Sequence, residues 1–178
     1  MVANGHRRLG DQNAMMVDQS ELHRQLDYNP ETGVFRRKLS TAQRVKVGDI
    51  AGSISSTTGY LRIMINGKRY LAHRLAWLYV FGSLPDCDVD HVDGCKTNNR
   101  IANLRLATRS QNIANAGHRK NNRLGLKGVH RTRTGNYAAQ IRVDGKKMHL
   151  GRYDCPAAAH LAYVVKASSV FGEYASFR

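Results

Sequence analysis

The sequence predicts an α+β protein: a small β-rich N-terminal region, a strand–loop–strand–helix unit, and a C-terminal three-stranded antiparallel sheet packed on one helix. Three observations carry that expectation. The dipeptides Asn66-Gly67 and Asp144-Gly145 each separate segments of β character, and both central positions of a type I′ hairpin turn need φ > 0, which these residues accept. Residues 72–81 repeat apolar side chains at helical spacing, with Leu75, Leu78 and Tyr79 on one side. A second helical pattern covers 156–170. Its stripe is Ala158, Leu161, Ala162 and Val165; Pro156 suits the first turn and Gly172 can stop it.

Taken in order, residues 1–19 are polar and read as a flexible N-terminus. Ser20 is the expected N-cap of a short helix with Leu22 and Leu26 on one face. Residues 29–33 (NPETG) are turn chemistry. Strands are expected at 33–36, 48–53 and 60–65, the last pairing with 68–71 across Asn66-Gly67. With the helix at 72–81, in which Trp77 reads as core, these make an N-terminal region of 20–83. Pro85 and the acidic stretch to Asp93 break that helix and open a unit of 84–116. Residues 117–124 are polar, basic and aperiodic, hence a linker. A third unit, 125–178, holds strands at 128–131, 137–143 and 147–153 before its helix.

Composition narrows the function. The chain has 178 residues with 28 Lys and Arg against 13 Asp and Glu, a formal charge of +15. So unbalanced a surface suits a polyanion. The longest apolar run, residues 75–81, is far short of the ~20 needed to cross a bilayer, so no membrane association is expected. No apolar core follows the basic residues at the N-terminus, so no secretory signal is expected. Cys87, Cys95 and Cys155 show no C-x-x-C spacing, which argues against a disulfide scaffold or a cysteine-rich zinc knuckle and fits a reducing cytoplasm.

Asp90-His91, Asn103 and Asn112 form the constellation that carries chemistry. Aspartate is a hard oxygen ligand for Mg²⁺, and an adjacent histidine can act as a general base near neutral pH. Neighbours on an extended segment point to opposite sides, so ligand and base need not compete for space. The loop 92–102 is rich in Gly, Asn and basic residues and can turn beside a phosphate; 103–105 reads as the return strand, and Thr108 can cap a helix presenting Asn112.

The stretch AHRLAWLYVFGSLPDCDVDHVDGCKTNNRIANLRLATRSQNIAN resembles phage-type HNH endonucleases, the ββα-metal nucleases that include homing enzymes, over roughly 28–116. The resemblance implies that Asp90 is one metal ligand and His91 the base that activates water. It implies that Asn103 braces the loop by bonding its backbone and that Asn112 is the second ligand, with Asn115 a nearby competitor. His73-Arg74 matches an Ala-His-Arg segment typical of these enzymes, read either as a solvent-facing helix start or as a phosphate contact. The zinc-binding cysteine pairs of some relatives are missing, so no structural zinc is expected. The implied cofactor is Mg²⁺, with Mn²⁺ able to substitute.

Residues 119–152 hold ten Lys or Arg and a single acid, Asp144. On alternating strand positions such charge paints one sheet face. Arg131 and Arg133 are expected to share a face of one strand, Gln140 and Arg142 a face of the next. Arg and Gln form paired hydrogen bonds with guanine and adenine edges. The run GLKGVHRTRTGNYAAQIRVDGKKMHLGRYD, with the following Ala-rich helix and FGEYASF, resembles the DNA-binding domain of plant ethylene-response transcription factors (the APETALA class), which phage HNH enzymes often carry. It implies DNA contacts by Lys127, His130, Arg131, Arg133, Gln140, Arg142, Lys147 and His149. Tyr137 and His149 replace tryptophans of that family, so its base sequence does not carry over. The expected protein is a homing-like HNH endonuclease in the cytoplasm of a bacterial host. It would act on double-stranded DNA as a monomer, since one motif per chain favours a nick. The alternatives are a sequence-specific DNA-binding protein with an inert motif and a structural or RNA-binding basic protein.

Overall fold

The computed structural model describes residues 17–118 and 121–177, and within them the fold is α+β. Expectations for residues 1–16, and for Arg119 and Lys120 in the linker, lie outside the described residues. The chain divides into two compact units, Met1–Leu84 and Pro85–Arg178.

In the first unit, helix α1 (Gln19–Gln25) is capped by Asp18, whose carboxylate accepts from Glu21 N, and not by Ser20, which lies inside the helix. Asp18 prevails because an N-cap side chain must reach the N–H three residues on. Strands β1 (Leu26–Asn29) and β2 (Val34–Arg37) form an antiparallel hairpin, so Leu26 leaves the helix and enters a strand. A three-stranded antiparallel sheet follows in the order β3 (Ser53–Ile54), β4 (Leu61–Ile65) and β5 (Lys68–Leu71). Asn66 and Gly67 take φ of 48° and 76° at its tight turn. Helix α2 (Ala72–Phe81) covers the sheet with Ala72, Leu75, Ala76 and Leu78. Phe35, Leu22, Leu26, Ile63 and Leu75 are fully buried at the centre. Trp77 is only half-buried and packs its ring on the exposed Phe81, so it sits at the rim of the core. His73 is buried against Tyr60, which excludes the solvent-facing reading of the helix start.

In the second unit, β6 (Asp88–His91) pairs antiparallel with β7 (Leu104–Ala107), a 3-10 turn (Ile101–Asn103) precedes β7, and α3 (Arg109–Asn115) follows it. Beyond lie β8 (Val129–Arg131), β9 (Tyr137–Val143) and β10 (Lys146–Tyr153), an antiparallel sheet with β9 in the middle, and α4 (Pro156–Phe171) across one face.

Two sequence expectations change here. The buried stripe of α4 is Ala159, Tyr163, Ala167 and Phe171, whereas Leu161 and Val165 are 63% and 62% exposed. The helix has apolar residues on two faces, and the face bearing both large rings removes more apolar area from water. The segments 84–116 and 125–178 also share one core. Ala114 of α3 packs with Ile141, Tyr163, Ala167 and Phe171, Ser176 N donates to Ala114 O at 3.2 Å, and Asp144 N donates to Ser110 Oγ at 3.1 Å. A seven-residue helix is marginal alone and needs such a packed face.

Gly128 shows how closely α4 lies on the sheet. Its φ is +78°, and a Cβ there would stand 2.1 Å from Tyr163 Cδ2. Left-handed strain and overpacking together predict that Gly128→Ala lowers stability by roughly 2–4 kcal/mol; urea unfolding of the full chain at pH 7 measures it.

Candidate active site

Strand alternation sorts the residues of β6. Asp88 and Asp90 point to one face, Val89 and His91 to the other. Thr108 starts α3 with a capping box: its hydroxyl accepts from Gln111 N, and the Gln111 side chain accepts from Thr108 N. The helix sets Asn112 and Asn115, three residues apart, over the carboxylate face. Asn112 Nδ2 donates to Asp88 Oδ2 at 2.8 Å. Asn115 Nδ2 donates to both oxygens of Asp90, at 3.2 and 3.0 Å, and to the His91 carbonyl at 2.6 Å. Of the two asparagines, the buried Asn115 is the one bonded to Asp90, while the half-buried Asn112 meets Asp88.

Asp90 is buried, and β7 supplies its cation. Arg105 stands opposite it in the strand register and donates Nε to Oδ2 at 3.2 Å. A carboxylate in so dry a place needs a charged partner and hydrogen bonds to offset the water it loses. The two amide bonds and the guanidinium provide them. On the same face, Arg109 Nη1 lies 3.4 Å from Asp88 Oδ2.

His91, on the opposite face, is also buried, and its Nε2 lies 3.2 Å from Asn99 Oδ1. An amide oxygen only accepts, so the proton of the neutral ring belongs on Nε2 and the lone pair on Nδ1. Burial pushes the His91 pKa below its ordinary value, against the weaker opposing pull of Asn99, Asp93 and Asp90. The imidazole is therefore neutral at pH 7.

The loop between the strands closes on Asp93, whose carboxylate accepts from Cys95 N (2.8 Å), Asn98 Nδ2 (2.6 Å) and Asn103 Nδ2 (3.0 Å). Burial raises its pKa, but these hydrogen bonds outweigh that and hold the carboxyl below its usual range. Asn103 returns the contact by accepting from Asp93 N with Oδ1, donates also to Asn98 O, and accepts from Val92 N with its own carbonyl. It spans the loop it terminates.

The face of the C-terminal sheet turned away from α4 carries His130 and Arg152 on either side of Ala138, His149 beside Gln140, and Lys147 beside Arg142. No carboxylate falls at these positions. Gln140 Oε1 is buried and accepts no hydrogen bond among the described residues. Three expected contacts lie elsewhere. Lys127 Nζ bonds the carbonyls of Ala114 and Ala116 at the end of α3. Arg131 pairs with Tyr137, on the side of the sheet that α4 covers. Arg133 lies in the turn after β8, which stops at Arg131 because Thr132 N closes onto Asn136 O.

The comparisons with known proteins fit this geometry. Residues 70–114 match the HNH endonuclease family. The matched stretch contains Asp90, His91, Asn103 and Asn112. The chain is also 34% identical over 111 residues to an uncharacterized HNH endonuclease of Acanthamoeba polyphaga mimivirus, a match covering 62% of this chain and 57% of that protein. No solved structure matches. Among the described residues no three His, Cys, Asp or Glu side chains converge as a metal centre.

Asp88, Asp93, Asn99 and Arg105 were not singled out by sequence reasoning. Asp88-x-Asp90 alternation would have shown the first, and counting register back from the hairpin loop would have set Arg105 opposite Asp90. Asp93 and Asn99 had no signal beyond loop composition.

Because the folded state holds His91 neutral below its ordinary pKa of 6.5, the unfolded chain binds more protons there. Stability should accordingly be full above about pH 6.5 and fall as pH drops below it. Thermal melting in chelator from pH 5 to 8 should show that slope in the parent and a flatter one in His91→Gln.

Proposed function

We propose that the protein is a metal-dependent DNA endonuclease of the HNH class, homing-like in type, that hydrolyses a phosphodiester bond of double-stranded DNA. The observation that carries this reading is the strand bearing Asp90 and His91. One face holds a buried carboxylate among hydrogen-bond donors, the other a neutral imidazole.

The potential ligands on the carboxylate face are the oxygens of Asp88, Asp90 and the Asn112 amide, with no thiol or imidazole among them, and hard oxygen suits Mg²⁺ or Mn²⁺, while Arg105 and Arg109 lie beside the two carboxylates. Asp90 and Asn112 would hold the ion, with Asp88 next to them. Asn112 is preferred to Asn115 because it is half-buried, leaving room for water and substrate, whereas the Asn115 amide is spent on clamping Asp90 and the His91 backbone. When bound, the ion supplies positive charge to the scissile phosphate and the leaving oxygen. His91 Nδ1 takes the proton of the attacking water, while Asn99 keeps the ring in the required tautomer. Asn103 fixes the loop so that His91 and Asp90 stay in register.

The outer face of the C-terminal sheet would read DNA through His130, Gln140, Arg142, Lys147 and His149, which the ethylene-response resemblance implies, joined on that face by Arg152. In the N-terminal unit, Arg37, Arg44, Arg62 and Arg69 line a groove with Asp49 as its one acid, a surface that also suits a polyanion.

Nicking of supercoiled plasmid tests the reading. Activity is expected with Mg²⁺ or Mn²⁺ and none in EDTA; Asp90→Ala and His91→Ala should abolish it with DNA affinity within a few-fold. Binding without any nicking by the parent would support the inert-motif alternative instead. On the reader face, Arg142→Ala and Lys147→Ala should each flatten the slope of log affinity against log salt by about 0.9, read by filter binding on one duplex.

A further inference from the structure

We infer that Arg105 is a positioning residue for the Asp90 carboxylate and that the C-terminal segment 172–176 sets its orientation; this rests on the nuclease reading above. An arginine side chain carries about 2 kcal/mol of rotamer entropy, so a single contact to Asp90 would leave it mobile. Here it is fixed from the other side. Nη1 donates to the Glu173 carbonyl at 3.1 Å, the Glu173 carboxylate lies 3.8 Å away, and the guanidinium stacks 4.0 Å from the centre of the Tyr174 ring. The Tyr174 hydroxyl donates to the carbonyl of Leu106, the next residue along β7. Tyr174 therefore grips the strand and covers the arginine at once.

The segment reaches the second support of Asp90 as well. Ser176 N bonds the carbonyl of Ala114, the residue before Asn115, and Ser176 is itself buried. Both groups that hold the Asp90 oxygens, Arg105 and Asn115, are thus fixed by residues about 80 positions downstream of the aspartate. The Arg105 side chain is only 12% exposed, so its pairing with Asp90 is shielded from the water and salt that weaken surface pairs. Removing the ring uncovers the guanidinium and lets the carboxylate drift, and small displacements at a reacting centre are expensive in rate.

The test uses full-length Tyr174→Ala and Tyr174→Phe with four measurements. These are single-turnover nicking at saturating plasmid, DNA affinity, Mn²⁺ affinity by EPR without DNA, and thermal melting. Tyr174→Ala should slow saturated nicking by at least about tenfold and weaken Mn²⁺ binding by roughly tenfold, with DNA affinity within about twofold. Tyr174→Phe should recover most of both, because the ring face remains while only the hydroxyl is lost. Parental rate and Mn²⁺ affinity in Tyr174→Ala would overturn the inference. So would equal losses in both variants in step with a lowered melting temperature, or a loss of DNA affinity with the saturated rate kept. A parent that binds Mn²⁺ but never nicks would instead overturn the nuclease reading, and Mn²⁺ affinity across the variants would still decide the role of Tyr174.

Discussion

A buried carboxylate organises the second unit. Asp90 carries charge in a place with little water, and a charge taken out of water costs several kcal/mol unless it is paired and hydrogen-bonded. The chain meets that cost from three directions: the cation comes from β7, the amide from α3, and the restraint on the cation from the segment after α4. Each of these elements is short. None would be expected to hold its shape alone, and together they close around one side chain.

A second constraint is the two-residue repeat of the strand. It puts carboxylate and imidazole back to back on β6, so that opposite electrostatic demands are met within one residue of each other. Asp90 needs donors and a cation, whereas His91 needs a dry pocket and an acceptor for one ring nitrogen. The same repeat divides the C-terminal sheet, where Ala139 and Ile141 face the helix and Gln140 and Arg142 face away.

What was legible in the sequence was local. Asn66-Gly67 and Asp144-Gly145 form tight turns with positive φ at both residues. Helix 72–81, strand 68–71 and strand 137–143 have the expected limits, and Thr108 caps as its chemistry predicts. These features depend on a few adjacent residues. Partnership across the chain was not legible: which stripe of α4 is buried depends on Gly128 and Ile141, and which asparagine bonds Asp90 depends on how α3 is tilted by its own core. Arg133 misled because alternation was extended past the end of a three-residue strand. At the site, the motif residues were legible by resemblance, while Arg105 and Tyr174 required the hairpin register and a contact 69 residues apart in sequence.

The Ala114–Tyr163–Phe171 core bears on how such a chain can be inherited. A module joined by a free tether can be exchanged between lineages as a cassette, since its neighbour does not notice its replacement. Here helix α3 is roofed by the C-terminal sheet and helix, so a recombination point at 117–124 would strip α3 of its packing. Productive exchange would have to carry Ala114 and its neighbours along with the incoming sheet, or change both sides together. Variation in this lineage should collect instead on the open face of the sheet, where His130, Gln140, Arg142, Lys147, His149 and Arg152 can change without disturbing what lies beneath.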